Sequence, residues 1–391
     1  MALDIERLRA ETPATQTLKH LNNAGAALMP SPVHDCLVGH LELESEIGGY
    51  EASDREIDRV NHFYKAAANL INAEPSEIGY IENATRAWDM VFYGLPLKPG
   101  DRILTAGVEY GSNLVAYTQR TKQTGAVLDI IPSTATGEVD VEALENMIDD
   151  RVKLVSITHI PTNGGLINPA EEIGAVCRKH SIPYLLDACQ SLGQIPVDVE
   201  KLGCDMLSGT GRKFLRGPRG TGLLYVRKSF LDRIDPPFLD QHSAAFAPDD
   251  SLVMLPDSRR FENWEYYVAG KIALGVAMDY ARDLDVSETS KRVIALAAQM
   301  REGLAKIPGV HVKDLGSKKG GIITFFHENV SAETIKKALL KHQINVSLSD
   351  GIGAHLDVRE RKLPTMIRAS THYYNTEAEV DALLAVVREL G

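Results

Sequence analysis

The sequence predicts an α/β chain in which a mostly parallel sheet is followed by a smaller α+β unit. Three observations carry that reading. Short apolar runs alternate with amphipathic stretches of helical length over much of the first two-thirds, and past about residue 285 the pattern changes. The chain of 391 residues is also too long for one small core, so two or three domains are expected. Strands separated by helices of this length imply right-handed crossovers and hence parallel neighbours.

The turn signal Lys98-Pro99-Gly100-Asp101 opens the run Arg102-Ile103-Leu104-Thr105, which reads as a strand. Val127 to Ile131, Leu154 to Ile157, Pro183 to Asp187 and Gly222 to Val226 read as further strands, each a short apolar run. Helical patterns fall between them at 113–124, 141–148 and 169–180. Beyond residue 285, a helix over 287–306 leads to the runs Val310 to Val312 and Gly321 to Phe326. A helix over 332–342, the runs Ile344 to Ser347 and Met366 to Ser370, and a last helix over 377–390 complete a small unit with an antiparallel sheet. In open α/β sheets ligands sit beyond the carboxyl ends of the strands, so the polar residues there are the ones to examine.

Composition narrows the function. The formal net charge is -11, and no Lys/Arg run is long enough to make a basic stripe. Phosphate backbones and anionic membranes need clustered positive charge, so neither nucleic acid nor membrane is expected as a partner. No segment approaches the roughly 18 consecutive apolar residues of a membrane span. The N-terminal stretch lacks the basic, apolar and small-residue regions of a secretory signal. The four cysteines, Cys36, Cys177, Cys189 and Cys204, form no C-x-x-C pair, so no metal site is expected. They read as reduced, buried thiols of a cytoplasmic protein.

Two segments carry chemistry. Asp187 ends an apolar strand in Leu186-Asp187-Ala188-Cys189-Gln190-Ser191, which exposes its carboxylate at the sheet edge; capping of the next helix is the structural alternative. Further on, Lys213 stands among glycines, prolines and arginines in Ser208-Gly209-Thr210-Gly211-Arg212-Lys213-Phe214-Leu215-Arg216-Gly217-Pro218. Neighbouring cations should depress its amine pKa, as a Schiff-base lysine requires. A bare basic loop of this kind could instead cradle a phosphate without covalent chemistry.

Asp-Ala-x-Gln-Ser, then Thr-Gly-Arg-Lys and Gly-Pro-x-Gly-x-Gly, resembles the class V aminotransferase family of fold-type-I enzymes, from Leu21 to the C-terminus. That family includes cysteine desulfurases, C–S lyases and isopenicillin N epimerase-like proteins. The resemblance implies pyridoxal 5'-phosphate (PLP) as cofactor and a large domain, residues 21–285, built on a mostly parallel seven-stranded sheet. Residues 1–20 and 286–391 would form the small α+β domain. It also implies an amino-acid substrate and a homodimer with the active site near its interface.

Carried over residue by residue, Lys213 matches the Schiff-base lysine, Asp187 the carboxylate under the pyridine nitrogen, and Gln190 the contact to the ring oxygen. Ala84, Thr85 and Arg86 would open a helix whose free N–H groups and dipole receive the phosphate. Thr210 would stand beside it. Where family members often carry a phosphate-touching His near the lysine, this chain has Arg212, a permanently charged substitute. Tyr110 takes the place of a ring-stacking His and is a poorer proton carrier near neutral pH. Asn163 falls where relatives place a polar residue near the ring oxygen. Arg368 matches the residue that pairs with the substrate α-carboxylate, while Asn23 and Gly25 match a loop lining the substrate pocket. Phe261 to Glu265 lies where relatives reach across a dimer, and His372 reads as a packed histidine.

Desulfurases of this family carry a nucleophilic Cys on a loop before the carboxylate-binding Arg. The corresponding stretch, Ser347 to Leu356, has none, and no Cys follows Cys204. A persulfide mechanism needs a mobile thiolate. The remaining reactions share a Cα carbanion: β-elimination as a C–S or related lyase, which the absence of an evident second base favours, racemisation or epimerisation, and transamination. A non-catalytic PLP-fold binding protein is the reading from another class.

Overall fold

A computed structural model describes residues 3–391. Its centre is a seven-stranded sheet made of β1 (Ile78–Ile81), β2 (Arg102–Ala106), β3 (Val127–Ile131), β4 (Val152–Thr158), β5 (Tyr184–Asp187), β6 (Met206–Thr210) and β7 (Gly222–Val226). The spatial order is β1-β7-β6-β5-β4-β2-β3. Pairs within β3-β2-β4-β5-β6 are parallel, and β7 runs antiparallel to both β6 and β1. Strands β4 to β7 are buried almost throughout, which explains why they read as apolar runs rather than as alternations. Helices cover both faces. Helix α1 (Ala84–Tyr93) follows β1, α2 (Gly111–Thr124) follows β2, and α3 (Ala170–His180) follows β4.

A four-stranded antiparallel sheet lies toward the C-terminus. It comprises β8 (Val310–Val312), β9 (Ile322–His327), β10 (Ser347–Ser349) and β11 (Met366–Ser370), in the order β8-β9-β11-β10. Its core draws on Val286–Ala305, Ala332–Lys341 and Glu377–Leu390, the helices that pack on it.

Most expected elements lie within a residue or two of their positions. Two strands of the central sheet escaped the sequence pattern. Ser208 to Thr210 read as loop, yet it is the end of β6. Its small residues are required there, because a Cβ on Gly209 would come 2.3 Å from Leu192 Cδ1. Strand β1 has only four residues and was not recognised. The single run expected at Ile344 to Ser347 divides in two. Ile344–Asn345 pairs in parallel with Lys19–His20, while Ser347–Ser349 joins β11.

One residue ties the N-terminal segment, the loop after β6 and the C-terminal segment together. Arg216 is fully buried, with a left-handed φ of 61°. Its guanidinium donates to the Leu28 carbonyl (2.7 Å), the Tyr373 hydroxyl (2.7 Å) and the Thr12 hydroxyl (2.5 Å), and lies 4.6 Å from the Tyr374 ring centroid. Hydrogen bonds to charged groups are worth about 1.5–3 kcal/mol each. Arg216→Ala is therefore expected to cost roughly 3–5 kcal/mol, read as a lower urea midpoint; a loss below about 1 kcal/mol would contradict the assignment.

Candidate active site

The carboxyl edge of the central sheet carries a cleft of about 650 Å³, open to solvent. Tyr110 enters after β2, Thr158 and Thr162 from the end of β4 and beyond it, Asp187 and Gln190 from β5 and the turn after it, and Lys213 from the turn after β6. The residues are far apart in the sequence and meet because parallel strands end on one side.

Lys213 is only 8% exposed. Its nitrogen lies 6.0 Å from the Tyr110 ring centroid and has no hydrogen-bond partner or ion pair among the described residues. Burial is the main cause that holds its pKa below the ordinary lysine value, with Arg212 and Arg368 adding to the effect and Cys189 and Asp187 opposing it. The expected influence of cations is present, but desolvation outweighs it. Lys271 provides an internal comparison. It is 2% exposed, but its nitrogen meets Tyr64 Oη at 2.7 Å and Glu262 at 3.7 Å. Of these two buried amines, the one in the cleft is left free.

Asp187 is buried and held from two sides. Asn113 Nδ2 donates to Oδ2 at 3.2 Å and the Cys189 amide donates to Oδ1 at 2.9 Å. Asn113 also donates to Glu109 Oε1 at 3.0 Å. Glu109 further accepts from Thr105 Oγ1 at 2.8 Å, from Thr158 and from the Tyr110 amide at 2.6 Å. Burial, reinforced by the charge of Asp187, pushes the Glu109 carboxyl up.

At one end of the cleft stands the N-terminus of α1. Asn83 caps it by accepting the Arg86 amide at 3.0 Å, which leaves the amides of Ala84 and Thr85 without an intrahelical acceptor. Gly222 brings β7 directly beneath this turn, since a Cβ there would lie 3.2 Å from the Ala84 nitrogen. Ala84, Thr85 and Thr210 line the cleft. Arg86 does not. Its amide is used by the cap, and its side chain turns outward to Glu82 (3.6 Å) and the Phe238 ring (5.0 Å).

The other end is built around Thr162. Arg368 Nη1 donates to Thr162 Oγ1 at 2.6 Å, and its Nε donates to Ser347 Oγ at 3.0 Å. Burial, with Arg212 nearby, lowers the Arg368 pKa to about 10. Gln190 Nε2 donates to the Ala24 carbonyl at 3.1 Å and approaches Thr162 Oγ1 at 3.5 Å, while its Oε1 is buried without a partner. The next carbonyl, that of Gly25, accepts from Arg212 Nη1.

Three expectations need correction at this end. Thr162, not Asn163, faces the cleft; Asn163 accepts from Ser349 Oγ and donates to Asp357 at 3.4 Å. Asn23 is fully buried and turned away, its amide donating to the Ser370 carbonyl at 2.7 Å and its oxygen accepting from Tyr374 Oη. Arg212 lines the cleft, but its one hydrogen bond among the described residues goes to the Gly25 carbonyl, and not to α1 or a carboxylate. Elsewhere, Phe261 and Glu262 are turned into their own chain: Phe261 is buried, and Glu262 accepts the Tyr80 amide at 2.8 Å. Among the cysteines, Cys177 and Cys204 are buried, but Cys36 is partly exposed and Cys189 lines the cleft. His372 packs as expected, its ring buried and 3.1 Å from the Phe214 carbonyl.

Sequence reasoning gave no role to Glu109, Asn113, Thr158, Thr162 or Cys189. Three of them had a signal: Glu109 and Asn113 fall in the segment Glu109-Tyr110-Gly111-Ser112-Asn113 that resembles the family's, and Thr162 adjoins Asn163 in the stretch expected near the ring oxygen. Thr158 and Cys189 had none.

The site fits PLP on its own chemistry. A free buried amine, a fixed carboxylate, an unpartnered amide oxygen and two open helix amides border one cleft, and each answers a different part of that molecule.

Comparison with known proteins agrees. A family model for aminotransferase class-V matches residues 20–383. A "Probable cysteine desulfurase" of Synechocystis sp. is 30% identical over 378 residues, 94% of this chain and 89% of that protein. One from Pyrococcus abyssi is 29% identical over 393 residues, 98% of this chain and 97% of the other. The apo structure of a cysteine desulfurase from Thermococcus onnurineus superposes with a TM-score of 0.92 at 26% identity, covering 100% of this chain and 99% of that one. A cystine C–S lyase in complex with cysteine persulfide shares the fold at a TM-score of 0.87 and 23% identity, covering 97% of this chain and 99% of that one. The chain belongs to the class V aminotransferase family, the PLP-dependent enzymes that its motifs resemble.

Proposed function

We propose that this enzyme is a β-eliminating lyase of the C–S or related type, acting on an amino acid without a cysteine nucleophile. One observation carries the reading: Lys213 presents a buried, unpartnered amine to the cleft, while the segment from Ser347 to Leu356 offers serines, glycines, apolar residues, Asp350 and His355, and no thiol. The relatives named as desulfurases support the general lyase reading, and the absence of a cysteine from this loop supports a route without persulfide.

Bound in the cleft, PLP would supply an electron sink that acidifies the Cα–H of an amino acid. The amides of Ala84 and Thr85 and the Thr210 hydroxyl would hold its phosphate. Asp187, fixed by Asn113 and the Cys189 amide, would keep a proton on the ring nitrogen. Gln190 would meet the ring oxygen, and Tyr110 would lie against the ring. Arg368 would pair with the α-carboxylate and so orient the Cα bonds. Lys213 would take the Cα proton, and the β-substituent would depart. Racemisation would need a second proton carrier, and Tyr110, whose ring centroid lies 6.0 Å from the Lys213 nitrogen, is the candidate. A homodimer with the cleft near its interface is part of the same reading; exposed Tyr50, Trp264 and Tyr267 around one surface groove support it.

Three outcomes follow. Leaving an amine buried without a partner costs about 1–3 kcal/mol, so Lys213→Met should raise the melting temperature of the cofactor-free protein; a fall would contradict the free-amine assignment. Because burial lowers the Lys213 pKa, its neutral form accumulates at lower pH than that of an ordinary lysine. Coenzyme capture, followed by visible absorbance, should rise with pH and level off below 10.5, and Lys213→Ala should abolish it. Incubation with β-substituted amino acids in D2O should release 2-oxo acid and ammonia; deuterium at Cα without net change would instead mark a racemase, and a pyridoxamine spectrum a transaminase.

A further inference from the structure

We infer that the substrate of this cleft carries a second anionic group on its side chain, and that Arg212 is the residue that receives it. The inference rests on the amino-acid reading above and deepens it.

Two cationic side chains line the cleft, Lys213 and Arg212, and a third, Arg368, stands behind Thr162 and is bonded to its hydroxyl. Neither arginine has a carboxylate partner among the described residues, and the contacts of both go to neutral oxygens. Arg368 uses Nε on Ser347 and Nη1 on the Thr162 hydroxyl and carbonyl, which leaves Nη2 with no hydrogen-bond partner. Arg212 is anchored through one nitrogen, Nη1, on the Gly25 carbonyl. Among the described residues the only carboxylate lining the cleft is Asp187, whose two oxygens are already taken by Asn113 and the Cys189 amide.

Position then decides which end of the cleft Arg212 serves. Gly25 follows Ala24, whose carbonyl is held by Gln190, and Gln190 in turn approaches the Thr162 hydroxyl that binds Arg368. This series of contacts sets Arg212 on the Arg368 side. The proximity of the two guanidinium groups is also felt electrostatically, since Arg212 contributes to lowering the pKa of Arg368. The far end has its own anion donors in Ala84, Thr85 and Thr210. An ordinary amino acid brings one carboxylate, which satisfies Arg368 and leaves Arg212 facing it uncompensated. A substrate with a side-chain carboxylate or another acid group would supply the missing charge, and a bidentate guanidinium contact suits either.

The test uses the holoenzyme and isosteric pairs. L-Aspartate against L-asparagine, and L-glutamate against L-glutamine, are titrated while the visible spectrum of the bound coenzyme is recorded. At least one acid should bind about tenfold or more tightly than its amide, as expected for a charge-assisted contact. Arg212→Gln should bring that ratio close to one with little change for the amide, and Arg212→Lys should restore part of it. Equal binding within both pairs overturns this inference alone. So does an unchanged ratio in Arg212→Gln, and a variant that instead releases coenzyme with its ratio intact would assign Arg212 to the phosphate. A coloured holoenzyme whose spectrum no amino acid disturbs contradicts the amino-acid reading as well.

Discussion

The chemistry proposed for this protein depends on keeping one lysine amine out of water without giving it a partner. Desolvation alone makes that amine easier to deprotonate, and a neutral amine is what attacks an aldehyde or takes a proton. The contrast with Lys271 shows that this is a choice of surroundings rather than of residue type. Both lysines are buried, but Lys271 is compensated by Glu262 and Tyr64. The fold supplies the difference. The strands around the cleft end in small or polar residues, so Lys213 projects from the turn after β6 into space that no other side chain of its own chain fills.

The second constraint is the fixed carboxylate beside it. Asp187 could have capped a helix, as many strand-ending aspartates do. Instead Asn113 and a backbone amide pin it, and Glu109 stands behind them in a ring of hydroxyl and amide donors. Such a network is costly to bury unless it is fully satisfied. Here Glu109 accepts from four donors, which makes Asp187 a positioned group rather than a mobile one.

Much of this was legible in the sequence. Strands β2, β4, β5 and β7 announced themselves as short apolar runs because they are buried almost throughout, and Lys213, Asp187, Gln190, Thr210 and Arg368 stood out through motif order. The unread part has physical causes. Strand β6 ends in Ser208-Gly209-Thr210, residues that look like loop until the packing of Leu192 on Gly209 is known. Asn23 and Asn163 are polar residues beside a cleft, and no sequence pattern tells whether such a side chain faces the ligand or a buried network. Arg212 follows a phosphate-site pattern by position, and only its contact with Gly25 reveals its direction. Glu109 and Thr162 stand in segments the motifs singled out, and only tertiary contacts reveal what they touch.

The chain shares its fold with the desulfurases it matches, and its segment from Ser347 to Leu356 contains no cysteine. The account therefore stands on the identity of the amine. Borohydride reduction of the coloured holoenzyme, followed by proteolysis and mass spectrometry, tests it most directly. The coenzyme should be found fixed to the peptide containing Lys213 and to no other lysine; label on Lys271 or on a surface lysine, or no fixed label at all, would contradict it.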